Sequence, residues 1–303
     1  MTISPIWRIL GVTRREATMV EHENIDPMRN QLHAMWNSVA GGWAAHIDYI
    51  EERGAGVTEA MLNALALVPG ERVLELACGT GAAGIGAARR VGPAGIVTMS
   101  DVAPDMIEVA ARRVEQLGIA NIATAVLDIE QIEMPGDVFD AVLCREGLMF
   151  AVDPGRGLTE IHRVLKPGGR MAVAVWASRE QNPWLGVMFD GVSAELGFEV
   201  PPPGIPGPFS LADRSALAGL IDGAGFVEVT IDDIDNPCVA ADFEQWWERV
   251  SMMAGPLAAI LGTLAPDVRE SLRSRLRHSV AEYRTVDGIE LPGVAMLAAA
   301  RRP

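Results

Sequence analysis

The chain has 303 residues, 49% of them hydrophobic, and a formal net charge of −15. That length and apolar content can bury a large core, while the acidity argues against nucleic acid, whose phosphates call for a basic surface. Three scattered cysteines, Cys78, Cys144 and Cys238, are too few for a disulfide framework and read as reduced. No apolar run reaches the roughly 18 residues that span a bilayer. The charged stretch TRREATMVEHE stands where a signal peptide would need an apolar core. A cytoplasmic protein is expected.

Residues 1–27 lack a sustained period and read as an arm, with a short helix around Pro5 to Leu10. Residues 28–70 read as helical: Trp36, Val39, Trp43, Ile47 and Ile50 recur at three- and four-residue spacing, and a second helix, Val57 to Val68, stops at Pro69-Gly70. An alternation then begins. It predicts strand Arg72–Ala77, a helix from Gly81, strand Gly95–Ser100, helix Pro104–Leu117, and strands Ile122–Leu127 and Val138–Cys144. Helix Gly157–Leu165, a Pro-Gly-Gly turn and strand Arg170–Trp176 close the segment 71–177. Strands alternating with helices imply a parallel sheet with right-handed crossovers.

Past Ala177 the pattern changes. PPPGIPGPF (Pro201 to Phe209) reads as a proline-glycine loop, and LADRSALAGLIDGAGF as a helix ending at a glycine before strand Phe226–Ile231. Residues 238–285 read as helical, with EQWWERVSMMAGPLAAIL apolar on more than one face, and LPGVAMLAAARR as a last strand. There are no internal repeats.

The motif that carries chemistry is VLELACGTG, Val73 to Gly81: a buried strand entering a glycine turn, with Glu75 four positions before Gly79. Asp101 ends the next apolar run. Strand, glycine turn, helix and carboxylate together form a device for holding a nucleoside, because glycine lets backbone approach the ligand and a helix N-terminus offers free N–H groups. Gly79, Gly81 and Gly84 also satisfy G-x-G-x-x-G, so a nicotinamide oxidoreductase competes. Against it, Glu75 has no use beside a pyrophosphate. The Tyr-x-x-x-Lys pair of short-chain dehydrogenases cannot exist either, since Tyr49, Tyr283 and Lys166 are the only residues of those types.

LDIE (Leu127 to Glu130), FDAVLCREGLMF (Phe139 to Phe150) and IHRVLKPGGRMAVAVW (Ile161 to Trp176) follow in order. The series resembles class I S-adenosylmethionine-dependent methyltransferases, most of all the branch with the ubiquinone and menaquinone biosynthesis methyltransferases, over roughly residues 30–180 and the closing strands. The resemblance implies an α/β, Rossmann-like sheet of seven mostly parallel strands, the last antiparallel, flanked by helices. Residues 178–303 would supply the rest of the sheet, with helical lid insertions at about 178–212 and 236–288 that shape an acceptor pocket together with the N-terminal helices.

By the same resemblance, Ala77, Gly79 and Gly81 approach the methionine part of the cofactor, and Glu75 holds its ammonium or fixes the loop. Asp101 takes the ribose diol, with a helix-start charge as its plainer alternative, and Val102 and Met106 pack on the adenine. Asp128 and Ile129 meet the adenine edge, although a solvated turn would also explain Asp128. Arg145 and Gly147 contact cofactor or acceptor. Glu146 is a candidate proton acceptor, or an ordinary partner of Arg145. Trp36 and Trp43 fall at aromatic lid positions, where rings can cover a sulfonium or simply pack a helix. His33 and His46 are candidate acceptor-site bases. Trp246, Trp247, Met252 and Met253 read as helix core or as pocket lining.

The expected reaction is transfer of a methyl group by in-line displacement from S-adenosyl-L-methionine to a hydrophobic or aromatic small molecule, leaving S-adenosyl-L-homocysteine. No metal is expected, because no His/Asp/Glu cluster has ligand spacing. No nucleic acid and no membrane span are expected, and a homodimer is the candidate assembly. A non-catalytic cofactor-binding regulator stays open beside the oxidoreductase.

Overall fold

A computed structural model describes residues 25–202, 204–253 and 255–303. The short helix expected near Pro5 lies outside them. Helix α1 runs Ile25–Ala45 and α2 runs Ile47–Leu65. The break expected near Val57 is absent. It falls instead at His46, whose backbone (φ −118°, ψ 24°) leaves the helical region. Residues 47–65 then keep one buried stripe, from Ile50 through Val57 and Met61 to Leu65, so the helix has no reason to stop before Ala66 turns left-handed.

The alternation follows: β1 (Arg72–Leu76), α3 (Ala82–Val91), β2 (Ile96–Asp101), α4 (Pro104–Gln116), β3 (Ile122–Val126), β4 (Phe139–Arg145), α5 (Pro154–Val164) and β5 (Leu165–Trp176). Next come α6 (Pro183–Leu196), α7 (Arg214–Gly223) and β6 (Val227–Asp235). The chain ends with β7 (Cys238–Ala240), α8 (Phe243–Met253), α9 (Pro256–Thr263), α10 (Pro266–Val280), β8 (Arg284–Thr285), β9 (Gly288–Leu291) and β10 (Val294–Arg301).

Seven strands form one sheet in the order β3-β2-β1-β4-β5-β10-β6. β1 pairs parallel with β2 and β4, and β10 runs antiparallel between β5 and β6. Central strands are buried on both faces, as in β4 and the second half of β5, which is why they read as continuous apolar runs.

Two details differ from the sequence reading. The Lys-Pro-Gly-Gly turn lies inside β5, where pairing jumps from Phe139↔Leu165 to Ala141↔Arg170, so the extra residues bulge without ending the strand. Segment 238–285 is not wholly helical: β7 opens it, and β7, β9 and β8 make a separate three-stranded sheet. Backbone pairing between distant segments, not local apolar period, sets both.

The chain lays β2 and β3 on one side of β1, then crosses to start β4 on the other. The carboxyl ends of β1 and β4 therefore flank a topological switch point, where such sheets bind ligands. Helix α3 sits close on β1 and β2 because Gly84 has no side chain. A Cβ there would stand 2.1 Å from Glu75 Oε2 and 2.5 Å from Met99 Cγ. Gly84→Ala is expected to lower the urea-unfolding free energy by about 1–3 kcal/mol, the usual cost of forcing atoms into a filled core. An unchanged midpoint would show that the helix can back away freely.

Candidate active site

The turn after β1 is held in uncommon backbone geometry: Ala77, Gly79 and Gly81 have φ of 51°, 52° and 88°. Left-handed conformations bring the N–H groups of the turn inward. Gly79 N–H donates to Asp101 Oδ2 and Ala103 N–H to Asp101 Oδ1, both at 2.9 Å. A carboxylate has about four acceptor positions, so two remain for a ligand. Burial raises the Asp101 pKa against the pull of these N–H groups.

Glu75 reaches the same turn from within β1. It is 2% exposed, and its Oε2 has no hydrogen-bond partner. Burial pushes its pKa up to about 8, against the opposing effects of Arg145 and the Gly84 N–H. Past β3, Asp128 accepts from the Glu130 N–H at 2.8 Å and lies 3.4 Å from both Arg29 Nε and His33 Nε2. Burial favours its proton, but the His33 hydrogen bond, the Glu130 N–H and Arg29 outweigh that and hold the pKa low. Arg29 also donates to Glu130 Oε2 at 2.7 Å, and Glu130 accepts from the Val152 and Asp153 N–H groups. This buried network fastens α1 across the sheet edge. Asn37 and Asp105 add a reciprocal pair of 2.9 Å bonds.

These groups surround one cavity beyond the strand ends. Glu75, Ala77, Gly79, Asp101, Val102, Met106, Asp128, Ile129, Arg145, Glu146, Gly147, Trp36, Trp43 and His33 all line it. Sequence reasoning did not select Arg29, Leu32, Cys78, Glu130, Phe150, Ala151 and Val152, which complete the wall. Arg29 lies four residues before His33 on the same helical face, and that spacing was the available signal.

A second cavity adjoins the first and shares Trp36, Trp43, Arg145, Glu146 and Phe150 with it. Trp36 stands edge-on to Trp43, with centroids 6.3 Å apart, and to Phe150 at 4.7 Å. The far wall includes Tyr49, Arg53, Met149, Trp176, Trp184, Phe189 and Asn236. Glu146 sits at the junction in a left-handed conformation (φ 59°), a strained state for a residue with a Cβ and one that clusters at functional sites. Its pKa is raised by burial, against Arg145 and Arg53, and Asn236 Nδ2 donates to its Oε1 at 3.5 Å.

Two expected site residues line neither cavity, and a third lines only the first. Gly81 lines neither cavity, because it caps α3 at a point where an added Cβ would run into Met99. His46 lines neither, because it sits at the break between α1 and α2. His33 lines only the first cavity, where its Nε2 lies 3.4 Å from Asp128. Trp246 and Trp247 are 0% and 4% exposed and belong to the core. Among the described residues no group of three or more His, Cys, Asp or Glu could hold a metal ion, and no helix is long and apolar enough to cross a membrane.

Residues 67–194 match the family described as Methyltransferase domain. The ubiquinone/menaquinone biosynthesis C-methyltransferase UbiE of Edwardsiella ictaluri is 30% identical over 182 residues, 56% of this chain and 72% of that protein. The UbiE of Bordetella parapertussis is 35% identical over 134 residues, 40% of this chain and 52% of that one. Aklanonic acid methyltransferase DauC of Streptomyces is 39% identical over 105 residues, 35% of this chain and 48% of DauC. The chain thus spans about half the length of several curated relatives it matches. The YcgJ protein from Bacillus shares the fold at a TM-score of 0.56 and 16% identity, covering 81% of this chain and 97% of that one. Haemonchus contortus phosphoethanolamine N-methyltransferase 2 does so at 0.51 and 19%, covering 81% and 52%.

The chain belongs to the class I S-adenosylmethionine-dependent methyltransferases. Within that class it is related to the UbiE C-methyltransferases.

Two outcomes test the electrostatics of the site. Since the folded state holds a Glu75 proton that the unfolded chain releases near 4.5, stability present at low pH is lost as pH rises toward about 8. Glu75→Gln should remove that loss and raise Tm at pH 9 by roughly 2–4 °C or more, with little change at pH 4. Equal shifts at both pH values would refute the assignment. For the latch, Arg29→Met should cost about 3–5 kcal/mol by leaving Glu130 buried without its cation, and Arg29→Met with Glu130→Met should recover much of it. Additive losses in denaturant titrations would show that the pair does not act as a unit.

Proposed function

We propose that the first cavity binds S-adenosyl-L-methionine, that the second binds a hydrophobic or aromatic small molecule, and that a methyl group passes between them. One observation carries this reading: five residues, Trp36, Trp43, Arg145, Glu146 and Phe150, belong to both cavities, so occupants of the two would meet there. The lining of the first cavity suits the cofactor. Asp101 keeps two acceptor positions for a ribose diol, and Asp128 lies at the next strand end for an adenine edge. Glu75 offers a cationic amine a buried carboxylate oxygen that lacks a partner. A diphosphate would meet Glu75, Asp101 and Asp128 together, which disfavours a nicotinamide dinucleotide.

When bound, the cofactor supplies a methyl group on positively charged sulfur. The protein then positions the acceptor in line with that methyl and excludes water, which can supply on the order of 7 kcal/mol of the barrier. Trp36 and Trp43 present ring surfaces at the junction suited to a cation. Glu146 stands where an acceptor proton would leave. Burial raises its pKa, the direction that makes a carboxylate a stronger base. Transfer would replace the carbon–sulfur bond of the cofactor by a bond from the acceptor to the methyl carbon, and Glu146, which lines both cavities, would hold any proton the acceptor sheds.

Isothermal titration with S-adenosyl-L-homocysteine should give micromolar or tighter binding and no heat with NADH. Asp101→Ala should weaken that binding about 10- to 100-fold, as expected for removing hydrogen bonds to a charged group. Undiminished affinity in the variant, or a response to NADH alone, would overturn the assignment of the first cavity.

A further inference from the structure

Helix α1 is tied down by two kinds of contact, and they lie toward opposite ends. Shortly before the break at His46, Val39 and Ala40 pack with Ala103 and Met106 in a small apolar cluster. Toward the start of the helix the contacts are polar. Arg29, His33 and Asn37 stand four residues apart, on one face, and each meets an acidic side chain from another segment. Arg29 pairs with Glu130 at 2.7 Å and with Asp128 at 3.4 Å. His33 Nε2 lies 3.4 Å from Asp128 Oδ2, and Asn37 exchanges hydrogen bonds with Asp105. A helix with a backbone break and an apolar bearing at one end and polar fasteners at the other is built to pivot at His46 and to open at Arg29.

The three fasteners differ in kind. A guanidinium stays charged and a carboxamide stays neutral, whereas an imidazole is the side chain that exchanges a proton in the physiological range. Burial works against the charge on Asp128, but the His33 hydrogen bond, the Glu130 N–H and Arg29 overcome it and hold its pKa low. A proton added to the His33 ring therefore turns a neutral hydrogen bond into an ion pair. Other charges surround the ring. Asp101, at the tip of β2, interacts with His33 through space, and Arg29 is shared between Asp128 and Glu130. Glu75, Arg145 and Glu146 line the same cavity from the ends of β1 and β4. Asp105 of α4 is engaged by Asn37, α8 meets α1 at Gly42 through the Met252 carbonyl, and α9 carries no charged side chain. Repulsion from Arg29 and Arg145 sets how readily the ring is charged, not what its charge does to the contact with Asp128.

We propose that His33 makes the α1 latch proton-sensitive: with its ring charged, the helix is held harder on Asp128 and the cofactor enters the first cavity more slowly. The proposal rests on the reading of that cavity as the cofactor site and adds to it a control of access. Helix α1 supplies Arg29, Leu32, His33, Trp36 and Trp43 to the cavity wall, so entry past it requires the polar contacts to part. As pH falls, His33 charges and entry slows. As pH rises, the ion pair reverts to a hydrogen bond and entry quickens. The pair is partly open to solvent, with side chains 31% and 20% exposed, so the effect is a few-fold and salt weakens it.

The test mixes the full chain with S-adenosyl-L-homocysteine in a stopped-flow instrument and follows tryptophan fluorescence, since Trp36 and Trp43 line the cavity. The association rate constant at about pH 5.5 should be about three-fold or more below that at about pH 8. His33→Gln keeps an N–H donor but takes up no proton, and its two rate constants should agree within about 1.5-fold. Any dependence owed to Glu75 or Asp101 survives in that variant, so a slowing that persists in His33→Gln overturns the proposal. Equal wild-type rates at the two pH values, or faster entry at the lower one, do the same. If His33→Gln does not fold, raising salt to about 0.5 M should shrink the wild-type ratio toward unity by screening the pair, and an unchanged ratio overturns the proposal equally. Failure of the cofactor reading looks different: S-adenosyl-L-homocysteine would bind at neither pH.

Discussion

Asp101 joins the two strand tips on which the site is built. Its carboxylate receives the Gly79 N–H from the turn after β1 and the Ala103 N–H from its own connection into α4. The glycine turn, with three left-handed residues in five positions, has little intrinsic preference for one shape. A buried acceptor with two donors converges it on one. The connection ends at Ala103, which with Met106 of α4 packs against Val39 and Ala40 of α1.

Several acidic groups sit in the site at a cost to folding. Glu75, Asp101 and Glu146 all have pKa values raised chiefly by burial, whereas a fold selected for stability alone would place apolar groups at these positions. Ala77 and Glu146, side by side at the ends of adjacent strands, add left-handed backbone strain. Buried acids and left-handed backbone thus occur together at the switch point.

The helices over the sheet divide the labour. Helix α1 closes the first cavity through a polar latch, Arg29 on Glu130 and Asp128, with His33 completing it. Helix α2 contributes Tyr49, Ile50, Arg53 and Gly54 to the second cavity. The break at His46 separates the two helices. The aromatic wall opposite comes from the end of β5 and from α6, with Trp176 edge-on to Trp184 at 5.2 Å.

Much of the nucleoside-binding half was legible in the sequence because its chemistry is local. Val73 to Gly81 must be a buried strand meeting a tight turn, and carboxylates at Asp101 and Asp128 follow strands whose apolar runs are unmistakable. Each therefore lands at a strand end whatever the rest of the chain does. The sequence could not show which side chains from distant segments share a wall. Arg29 with Glu130 and Arg53 with the 236–237 carbonyls are separated by 101 and 183–184 residues and meet only when the sheet and its lids close. His46 illustrates the reverse: an amphipathic period shows a helical face but not where the helix bends, and one bend at that residue removed it from the site. Local pattern thus determined most of the first cavity, and long-range packing decided the wall of the second, since hydrophobic periodicity reports that a face is buried but not what it is buried against.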